Sequence, residues 1–443
     1  MYYSQRKDSH ERRGNYRRAF GPSHSPGKVD RIMEPNFKDS LKTLFGKVSC
    51  IGALDGGGVT RLGYSDEEDE MHRIFRETAE SMGLYVWEDR AGNSFASNMP
   101  EGTCGYTLIG SHLDSVVEGG EYDGVVGVFA GLLILRELKA EGFSEPVTVA
   151  AFRCEESSNF KICTIGSGLI TGGIEKRHLT SAIGRDGKAL SQHMSERGFS
   201  LDVPFIKGIK KYLEIHIEQG RVLEDAGKDV GVVTAIAAPH RYVLTLEGLS
   251  EHSGATPMKL RKDALCAASE IILRVESIGR EESLNHSVAT VGAVENHPNV
   301  MNAVPGFVKM QIDMRGIDNE SICRMEDRLK SSIHEICDRR DIKYSLEKTE
   351  EKNPVLLDRG VIDGLSAAAQ QEGISYIQLP SGAGHDAMSF APICPSGMVF
   401  IPCRDGISHN IHEYTQMSQI EIGMRVVMSY LMACQEKFEE ESA

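Results

Sequence analysis

The sequence predicts an α/β fold, in which a large mixed β-sheet is flanked by helices and interrupted by a smaller α+β domain. Short apolar segments typical of buried strands alternate with longer segments of helical periodicity. After residues 231–234 the pattern changes to a compact unit with the order strand, helix, strand, strand, helix. The length of 443 residues also suits two domains better than one.

The large domain begins with a helix that a capping-box pattern, Ser65 with Glu68, marks at its start. Its apolar stripe is formed by Met71, Phe75, Ala79 and Met82. The further predicted elements are strands around residues 85, 95 and 106–113, a helix over 125–138, a strand over 147–152, short helices within 172–208, a strand over 398–402 and an amphipathic final helix over 417–434.

The smaller unit is predicted from a strand over 242–246, a helix over 263–275, strands over 288–294 and 308–314, and a helix over 322–336. The apolar positions of the last helix, Ile322, Met325, Leu329, Ile333 and Ile336, have helical spacing. We therefore divide the chain into an extension (1–32), the first part of the large domain (33–237), the insertion (238–351) and the second part of the large domain (352–443).

Residues 1–32 differ from the rest in charge, with eight Lys or Arg and three Asp or Glu in a chain of net charge −15. They are rich in Gly, Ser, Pro and Arg and lack an apolar signal core, so we expect disorder there. Because Met33 opens a sequence that looks like an ordinary start, an upstream extension or a cloning artefact is favoured over a functional tail.

Composition excludes several classes of function. The acidic body argues against nucleic-acid binding as the main task, and no apolar run approaches the ~20 residues of a membrane helix. The ten cysteines form no Cys-x-x-Cys pair, and we expect free, buried thiols, including Cys266, Cys323, Cys337 and Cys434. A reducing, cytoplasmic location fits this pattern.

The segment 110–127 carries the most informative motif. His112 and Asp114 are two residues apart on a strand, so they leave the same face, and Asp114 can orient the imidazole for metal binding. Asp123 stands in a Gly-rich loop before a helix, where its two carboxylate oxygens could bridge two ions. The alternative is an ordinary strand–loop–helix with polar loop residues.

Further candidates follow other strands. Glu155 and Glu156 come directly after the strand over 147–152 and point in different directions, so one can bind metal while the other moves protons. Cys154 beside them is a possible nucleophile, but a packing role is favoured. His216 alternates with apolar residues on a strand, while His385 and His409 lie in Gly-containing turns. Each histidine alone is commonly structural, but together these segments at strand ends predict a metal site.

These motifs resemble those of the di-metal amidohydrolases of the carbamoylase, allantoate amidohydrolase and β-ureidopropionase group, within the superfamily of zinc aminoacylases and carboxypeptidase-like exopeptidases. The resemblance rests on GSHLDSV, GGEYDGVVGV, EES, LEIHIEQG, EHSGATPM, NVMNAVPG, DMRG, SGAGHDA and GISHN, spread from Gly110 to Asn410. HIEQG, H-x-G-x-T-P-M and GAGHDA together are specific to this subgroup.

The resemblance implies roles for individual residues. His112 and His216 would bind one ion, Glu156 and His409 the other, and Asp123 both. Glu155 would be the general base, and Asp114 would orient His112. His252 would act in the partner subunit's site of a homodimer formed through the inserted domain, which would serve as dimerisation and lid domain. The substrate-contacting positions would be Gln219, Arg241, Asn302, Arg315 and His385.

Two departures bear on substrate choice. Relatives usually carry Gly-Ser-Arg-Phe where this chain has Ser157 to Phe160, so Asn159 replaces a cation. His240 stands where glutamine or isoleucine is expected. Arg315 is suited to bidentate binding of a substrate carboxylate; the alternative is a strand residue paired with Asp313.

Three imidazoles and two carboxylates suit zinc, manganese, cobalt or nickel rather than calcium, and zinc is favoured. We therefore expect two divalent ions per chain and a small ureido or amide substrate with a carboxylate, either an N-carbamoyl amino acid or an allantoate-like ureido acid. An aminoacylase or dipeptidase on the same scaffold is the alternative. A non-catalytic, metal-stabilised binding protein is less favoured, because it predicts a missing base or ligand.

Overall fold

The computed structural model describes residues 37–442. The α-helices are α1 (Phe37–Val48), α2 (Asp66–Ser81), α3 (Val125–Ala140), α4 (Ile165–Thr171), α5 (Lys176–Thr180), α6 (Leu190–Glu196), α7 (Val222–Ala226), α8 (Ala264–Glu282), α9 (Asn319–Arg340), α10 (Arg359–Gln371), α11 (Ala387–Phe390) and α12 (Met417–Ser442). The strands are β1 (Tyr85–Glu88), β2 (Ser94–Ser97), β3 (Tyr106–His112), β4 (Val147–Phe152), β5 (Ile209–Ile217), β6 (Val230–Ile236), β7 (Ala238–Glu247), β8 (Glu251–His252), β9 (Val288–His297), β10 (Ala303–Val304), β11 (Phe307–Gly316), β12 (Lys343–Glu351), β13 (Val355–Leu356), β14 (Tyr376–Ser381) and β15 (Ser396–Ile401).

The large unit is built on a mixed sheet with the order β1-β2-β4-β3-β5-β15-β6-β13, and β14 pairs with β6. The central strands β4, β3, β5 and β15 are parallel to their neighbours in that group. Strand β4 is buried along its whole length, and helix α3 is buried on nearly every side. This is the α/β sheet with flanking helices that the sequence predicts.

The small unit consists of the antiparallel sheet β12-β7-β11-β9 with helices α8 and α9 packed on one face. Its core is separate from that of the large unit and contains alternate residues of β7 and β11. Strand β12 was not predicted, because an exposed edge strand rich in Lys and Glu lacks the apolar alternation that marks the other strands. The division into domains itself stays a prediction.

Two chain segments connect the units, and they contact each other. Lys352 donates its backbone N–H to the Pro239 carbonyl at 3.3 Å. The imidazole of His240 lies 3.0 Å from the Lys352 carbonyl and 2.5 Å from Glu326, so this residue is buried in the connection. The predicted extension 1–32 lies outside the described residues. In 37–442 no helix has both the length and the apolar character that crossing a bilayer requires.

Candidate metal centre and active site

The predicted ligands meet at the carboxyl ends of the central parallel strands. His112 ends β3, His216 lies at the end of β5, and Glu155 and Glu156 follow β4. His409 lies in the loop after β15. In open α/β sheets this edge is where ligands bind, since the loops leaving adjacent parallel strands form a crevice there.

One group of donors consists of His112, Asp123 and His216, all buried. The Nε2 atoms of His112 and His216 lie 3.9 and 3.0 Å from Asp123 Oδ1. Although Asp123 Oδ1 and His216 Nε2 are close, both are buried without a hydrogen-bond partner. Burying polar atoms without a partner costs free energy, so such atoms usually have another partner. A cation bound between the imidazole and the carboxylate would be a partner for both.

A second group shares the same aspartate. His409 Nε2 lies 3.1 Å from Asp123 Oδ2 and 3.1 Å from Glu156 Oε1. Asp123 therefore presents one oxygen to each group, as a bridging ligand would. The pKa of His409 is raised to about 11 by its contacts with Asp123 and Glu156. Burial opposes ionisation of Asp123, but its contacts with His216 and His409 outweigh burial and hold its pKa well below the usual range.

Three consecutive backbone N–H groups before and within the glutamate pair are held by buried carboxylates. Cys154 donates to Glu68 Oε1 at 2.7 Å, Glu155 to Asp114 Oδ1 at 2.9 Å and Glu156 to Asp114 Oδ2 at 3.0 Å. Asp114 therefore clamps the glutamate pair as well as facing His112. The Nδ1 atom of His112 is closer to the Asp114 carbonyl (3.1 Å) than to its carboxylate (3.4 Å).

The carbonyl side of this segment is also fixed. The N–H groups of Thr164, Ile165 and Gly166 bond to the carbonyls of residues 155, 154 and 153 at 2.7 to 3.0 Å. Cys154 has a φ of 53°, an unfavourable conformation for a non-glycine residue that the surrounding bonds hold in place. Glu155 is thus mounted on a backbone whose polar groups are paired on both sides.

Two sequence predictions change at this point. Ser65 caps α2 as expected, but Glu68 does not complete a capping box, because its carboxylate binds the N–H groups of Tyr64 and Cys154 and the buried Arg153. Cys154 is fully buried, and burial first and then the nearby carboxylates raise the pKa of its thiol well above the usual value. This supports packing over the nucleophile hypothesis.

Glu413 is a residue of the site that sequence reasoning missed. Its carboxylate accepts the N–H groups of Tyr122 and Asp123 at 3.0 Å each and the Ser408 hydroxyl at 2.7 Å. It therefore joins the Asp123 loop to the loop that carries His409. A lone glutamate after β15 has no distinguishing pattern in the sequence, since the backbone N–H groups that it binds lie about 290 residues away.

Two predicted substrate residues lie beside the candidate metal ligands. Gln219 donates to Asp123 Oδ2 at 2.9 Å and lies 3.3 Å from His409 Nε2. His385 is buried, with its ring 4.5 Å from that of His216 and its Nε2 2.8 Å from the Ser381 hydroxyl. Burial, followed by His216, lowers the pKa of His385 well below its usual value, so it is a neutral imidazole at neutral pH.

The two predicted arginines belong to the small unit and are already paired. Arg315 binds Asp313 at 3.0 Å and donates to the carbonyl of Gly382, in the turn that leads to His385, at 3.0 Å. Arg241 binds Glu350 at 2.7 Å and lies 3.5 Å from Asp313. The Asp313 pairing expected for a structural Arg315 is therefore present, together with a contact to the large unit.

Asn159, which replaces the expected cation, is buried and structural. Its amide donates to the Gly63 carbonyl at 2.8 Å and accepts from the Arg185 N–H at 3.1 Å. The side chain therefore holds the loop after the glutamate pair.

His252 and Asn302 are exposed on the small unit, and within residues 37–442 neither contacts the candidate metal ligands. His252 Nδ1 accepts the N–H groups of Gly254 and Ala255 at 3.1 and 3.2 Å. An accepting Nδ1 leaves the proton of the neutral ring on Nε2. The Asn302 carbonyl accepts from Ser253 at 3.0 Å, so the two residues form one local structure.

The cysteines were only partly predicted. All ten are free, and Cys337 is buried as expected, whereas Cys434 is intermediate. Cys266 and Cys323 are exposed, and the expectation that they are buried was therefore wrong. Cys323 directly follows Ile322, which belongs to the apolar stripe of α9, and one residue turns a helix by about 100° away from such a stripe.

Comparison with known proteins shows the family to which the chain is similar. Residues 108–433 match the profile of peptidase family M20/M25/M40. The chain is 35% identical to an N-carbamoyl-L-amino acid amidohydrolase of Geobacillus stearothermophilus, over 85% of this chain and 93% of the relative. It is 35% identical to an allantoate amidohydrolase of Escherichia coli K12, over 91% and 100%. The structure of a hydantoinase/carbamoylase family amidase from Burkholderia multivorans aligns with a TM-score of 0.84 and 32% identity, covering 89% of this chain and 97% of that one.

Proposed function

This chain belongs to peptidase family M20/M25/M40, and we propose that it hydrolyses the linear C–N bond of a ureido group in an N-carbamoyl amino acid or an allantoate-like ureido acid. The observation that carries the proposal is the cluster in which Asp123 faces two histidines on one side and His409 with Glu156 on the other, with every member except His409 buried. Two relatives at 35% identity carry names for ureido hydrolysis.

We assign His112 and His216 to one divalent ion, Glu156 and His409 to a second, and Asp123 to both. The unpartnered, buried atoms of Asp123 and His216 support this assignment. When bound, a pair of ions polarises the scissile carbonyl and lowers the pKa of a water to about 7. Zinc is favoured by the imidazole-rich donor set, and manganese, cobalt and nickel are chemically compatible.

Glu155 is the proposed general base. Burial, and then the neighbouring Glu156, raise its pKa well above the usual value, while His112 opposes this shift. A carboxylate with a raised pKa accepts a proton from the attacking water and returns it to the leaving nitrogen more readily than an ordinary one. Such a group contributes about 10²–10⁴-fold to the rate, and the paired backbone around residues 153–156 keeps it in place.

Arg315 is the proposed binding group for the substrate carboxylate. Its guanidinium is partly buried and borders the turn that carries His385, beside the metal ligands. We predict that Arg315→Ala lowers kcat/KM for carboxylate substrates far more than for their amides or esters, because a bidentate ion pair is lost. Equal loss on both kinds of substrate would show that Arg315 only joins the two units.

His252 is proposed to act in the site of a partner subunit. Its Nε2–H is available to donate to the developing oxyanion. The small unit also offers a surface for a two-fold dimer. Its edge strand β9 is exposed and carries the exposed Val288 and Val294, and Met301 is exposed next to Asn302.

Mixing inactive variants tests this assembly. Glu155→Ala and His252→Ala chains, each nearly inactive, should regain about a quarter of wild-type activity after free exchange in equal amounts, because half the dimers are mixed and one of their two sites is intact. If activity does not recover although subunit exchange is proven, His252 either acts in the site of its own chain or has no catalytic role.

A substrate panel tests the reaction class. Metal-loaded wild-type protein is assayed with N-carbamoyl amino acids, allantoate, N-acetyl amino acids and dipeptides, with release of ammonia and of free amine measured separately. Ammonia release from ureido substrates, absent in Glu155→Gln, supports the proposal. Amine release from acyl or peptide substrates alone would favour the aminoacylase or dipeptidase, and metal binding without any turnover would favour a binding protein.

A further inference from the structure

We propose that Cys163 and Lys352 form an oxidation site, at which the cysteine sulfur and the lysine nitrogen become covalently joined. The Nζ atom of Lys352 lies 3.3 Å from Cys163 Sγ. Cys163 belongs to the loop that follows the glutamate pair, and Lys352 to the connection that leaves the small unit. The contact therefore joins the large unit to the segment between the two units.

The surroundings place a cation beside the sulfur and leave the sulfur within reach of an oxidant. Redox-active cysteines in proteins lie in partly exposed surroundings of this kind, next to Lys, Arg or His. Burial lowers the pKa of Lys352, but Cys163 and Glu350 outweigh burial and hold that pKa above its usual value. Cys163 is only half-buried, so a small oxidant can reach it.

Both partners are held in position. The backbone of Lys352 is fixed by Pro239 and His240. Cys163 directly precedes Thr164, whose N–H binds the Glu155 carbonyl at 2.7 Å. A bond between the two side chains would attach the connection of the small unit to the loop that holds the glutamate pair.

The chemistry balances with one molecule of hydrogen peroxide. The thiolate sulfur attacks the peroxide and loses two electrons, which gives a sulfenic acid and hydroxide. The lysine ammonium gives a proton to the hydroxide, which forms the first water, and the lysine nitrogen then attacks the sulfur. An S–N bond forms, the S–O bond breaks, and a second water leaves. The product is a sulfenamide that contains two hydrogen atoms fewer than the free thiol and amine.

The described residues contain comparisons for this site. Lys211 Nζ also lies 3.3 Å from a sulfur, that of Cys434, but it donates to the Tyr430 hydroxyl at 2.9 Å as well. That pair lies between β5 and α12 within the large unit, so a link there would leave the glutamate loop untouched. Cys154 is fully buried with a raised thiol pKa, and we expect it to stay reduced.

The test is peptide mass spectrometry of the full chain after brief treatment with hydrogen peroxide. Trypsin cuts after Lys161, Lys176, Lys348 and Arg359. We expect residues 162–176 joined to residues 349–359, uncut at Lys352 and lighter by two hydrogen atoms than the separate peptides together. Dithiothreitol should reverse the link.

Lys352→Arg is the matched variant, because it keeps a cation beside the sulfur while the guanidinium is not a nucleophile at neutral pH. We expect this variant to stop at a sulfenic acid that dimedone traps at Cys163, and Cys163→Ser to give neither product. The inference is overturned if wild type and Lys352→Arg yield the same dimedone adduct without a link. It is also overturned if Cys163 stays reduced while the exposed Cys50 and Cys104 react. This readout needs no catalytic activity, so it stands apart from the proposed function.

Discussion

Replacement of Gly124 by alanine tests how the start of α3 positions His112. Gly124 precedes the helix with a φ of +68°, and a Cβ there would lie 2.4 Å from Cε1 and 2.5 Å from both nitrogens of the His112 ring. Ordinary contacts begin at 3.4 Å, so the ring or the helix would have to move by about 1 Å. Movements of that size at a reacting centre cost about 10²-fold in rate.

Gly142 provides the matched control at the other end of the same helix. It has a nearly equal φ of +71°, but a Cβ there would meet nothing within 4 Å. Both alanine variants should lose about 1–2 kcal/mol from the left-handed backbone conformation. Only Gly124→Ala should carry the further cost of an overpacked contact, about 1–3 kcal/mol.

The two costs are measured separately. Urea unfolding of the metal-free proteins gives the free energy of unfolding, and competition with a chelator gives the metal affinity. If His112 moves to relieve the contact, the further cost appears as metal affinity weaker by about 10- to 100-fold, since about 1.4 kcal/mol is tenfold. Equal unfolding energies and equal metal affinities in the two alanine variants would refute the reasoning.

Three other predictions concern the ligand cluster. Glu155→Gln should retain both metals and lose about 10²–10⁴-fold in kcat, whereas Glu156→Gln should weaken one metal; metal analysis with kinetics would expose the reverse assignment. Asp123→Asn should disturb both metal sites, and normal loading of either site in this variant would contradict a bridging role. Metal uptake should release protons, and metal affinity should increase as pH rises, because the pKa of His409 is raised from 6.5 to about 11 in the metal-free protein. The raised pKa also stabilises the metal-free fold. This stabilisation is fully present below pH 6.5 and is lost as pH rises towards 11. Calorimetry in buffers of different ionisation enthalpy would disprove this if it detected no proton release.

The place where the candidate ligands meet could be predicted from the sequence because their chemical types are distinctive and their positions follow apolar strands. Parallel strands bring their carboxyl ends to one edge, so His112, His216 and the glutamate pair meet once the strands are recognised. Helix α3 and strand β4 were recognised for the same reason, since an apolar pattern reflects burial directly. Strand β12 was not recognised, because an exposed edge strand has no such apolar pattern.

The residues that hold the ligands could not be predicted. Glu68 matched a local rule for helix starts, yet its carboxylate is used by Cys154 and Arg153, which are about 85 residues away. Glu413 holds the Asp123 loop across about 290 residues. A carboxylate that accepts distant backbone N–H groups looks, in the sequence, like any surface acid, because only the tertiary fold gives it partners.

These supporting acids also explain why the cluster suits cations. Burial raises the pKa of Glu68 to about 7 and that of Glu413 to about 7. It also raises to about 8 the pKa of Asp386, a buried acid that accepts the Ser167 hydroxyl, and in each case a nearby carboxylate adds to the shift. In the metal-free protein, burial and the neighbouring carboxylates thus oppose full ionisation of these acids at neutral pH. Divalent ions at Asp123 would relieve this repulsion as well as satisfy its unpartnered oxygen, so metal binding should stabilise the whole carboxyl edge of the sheet rather than the ligand side chains alone.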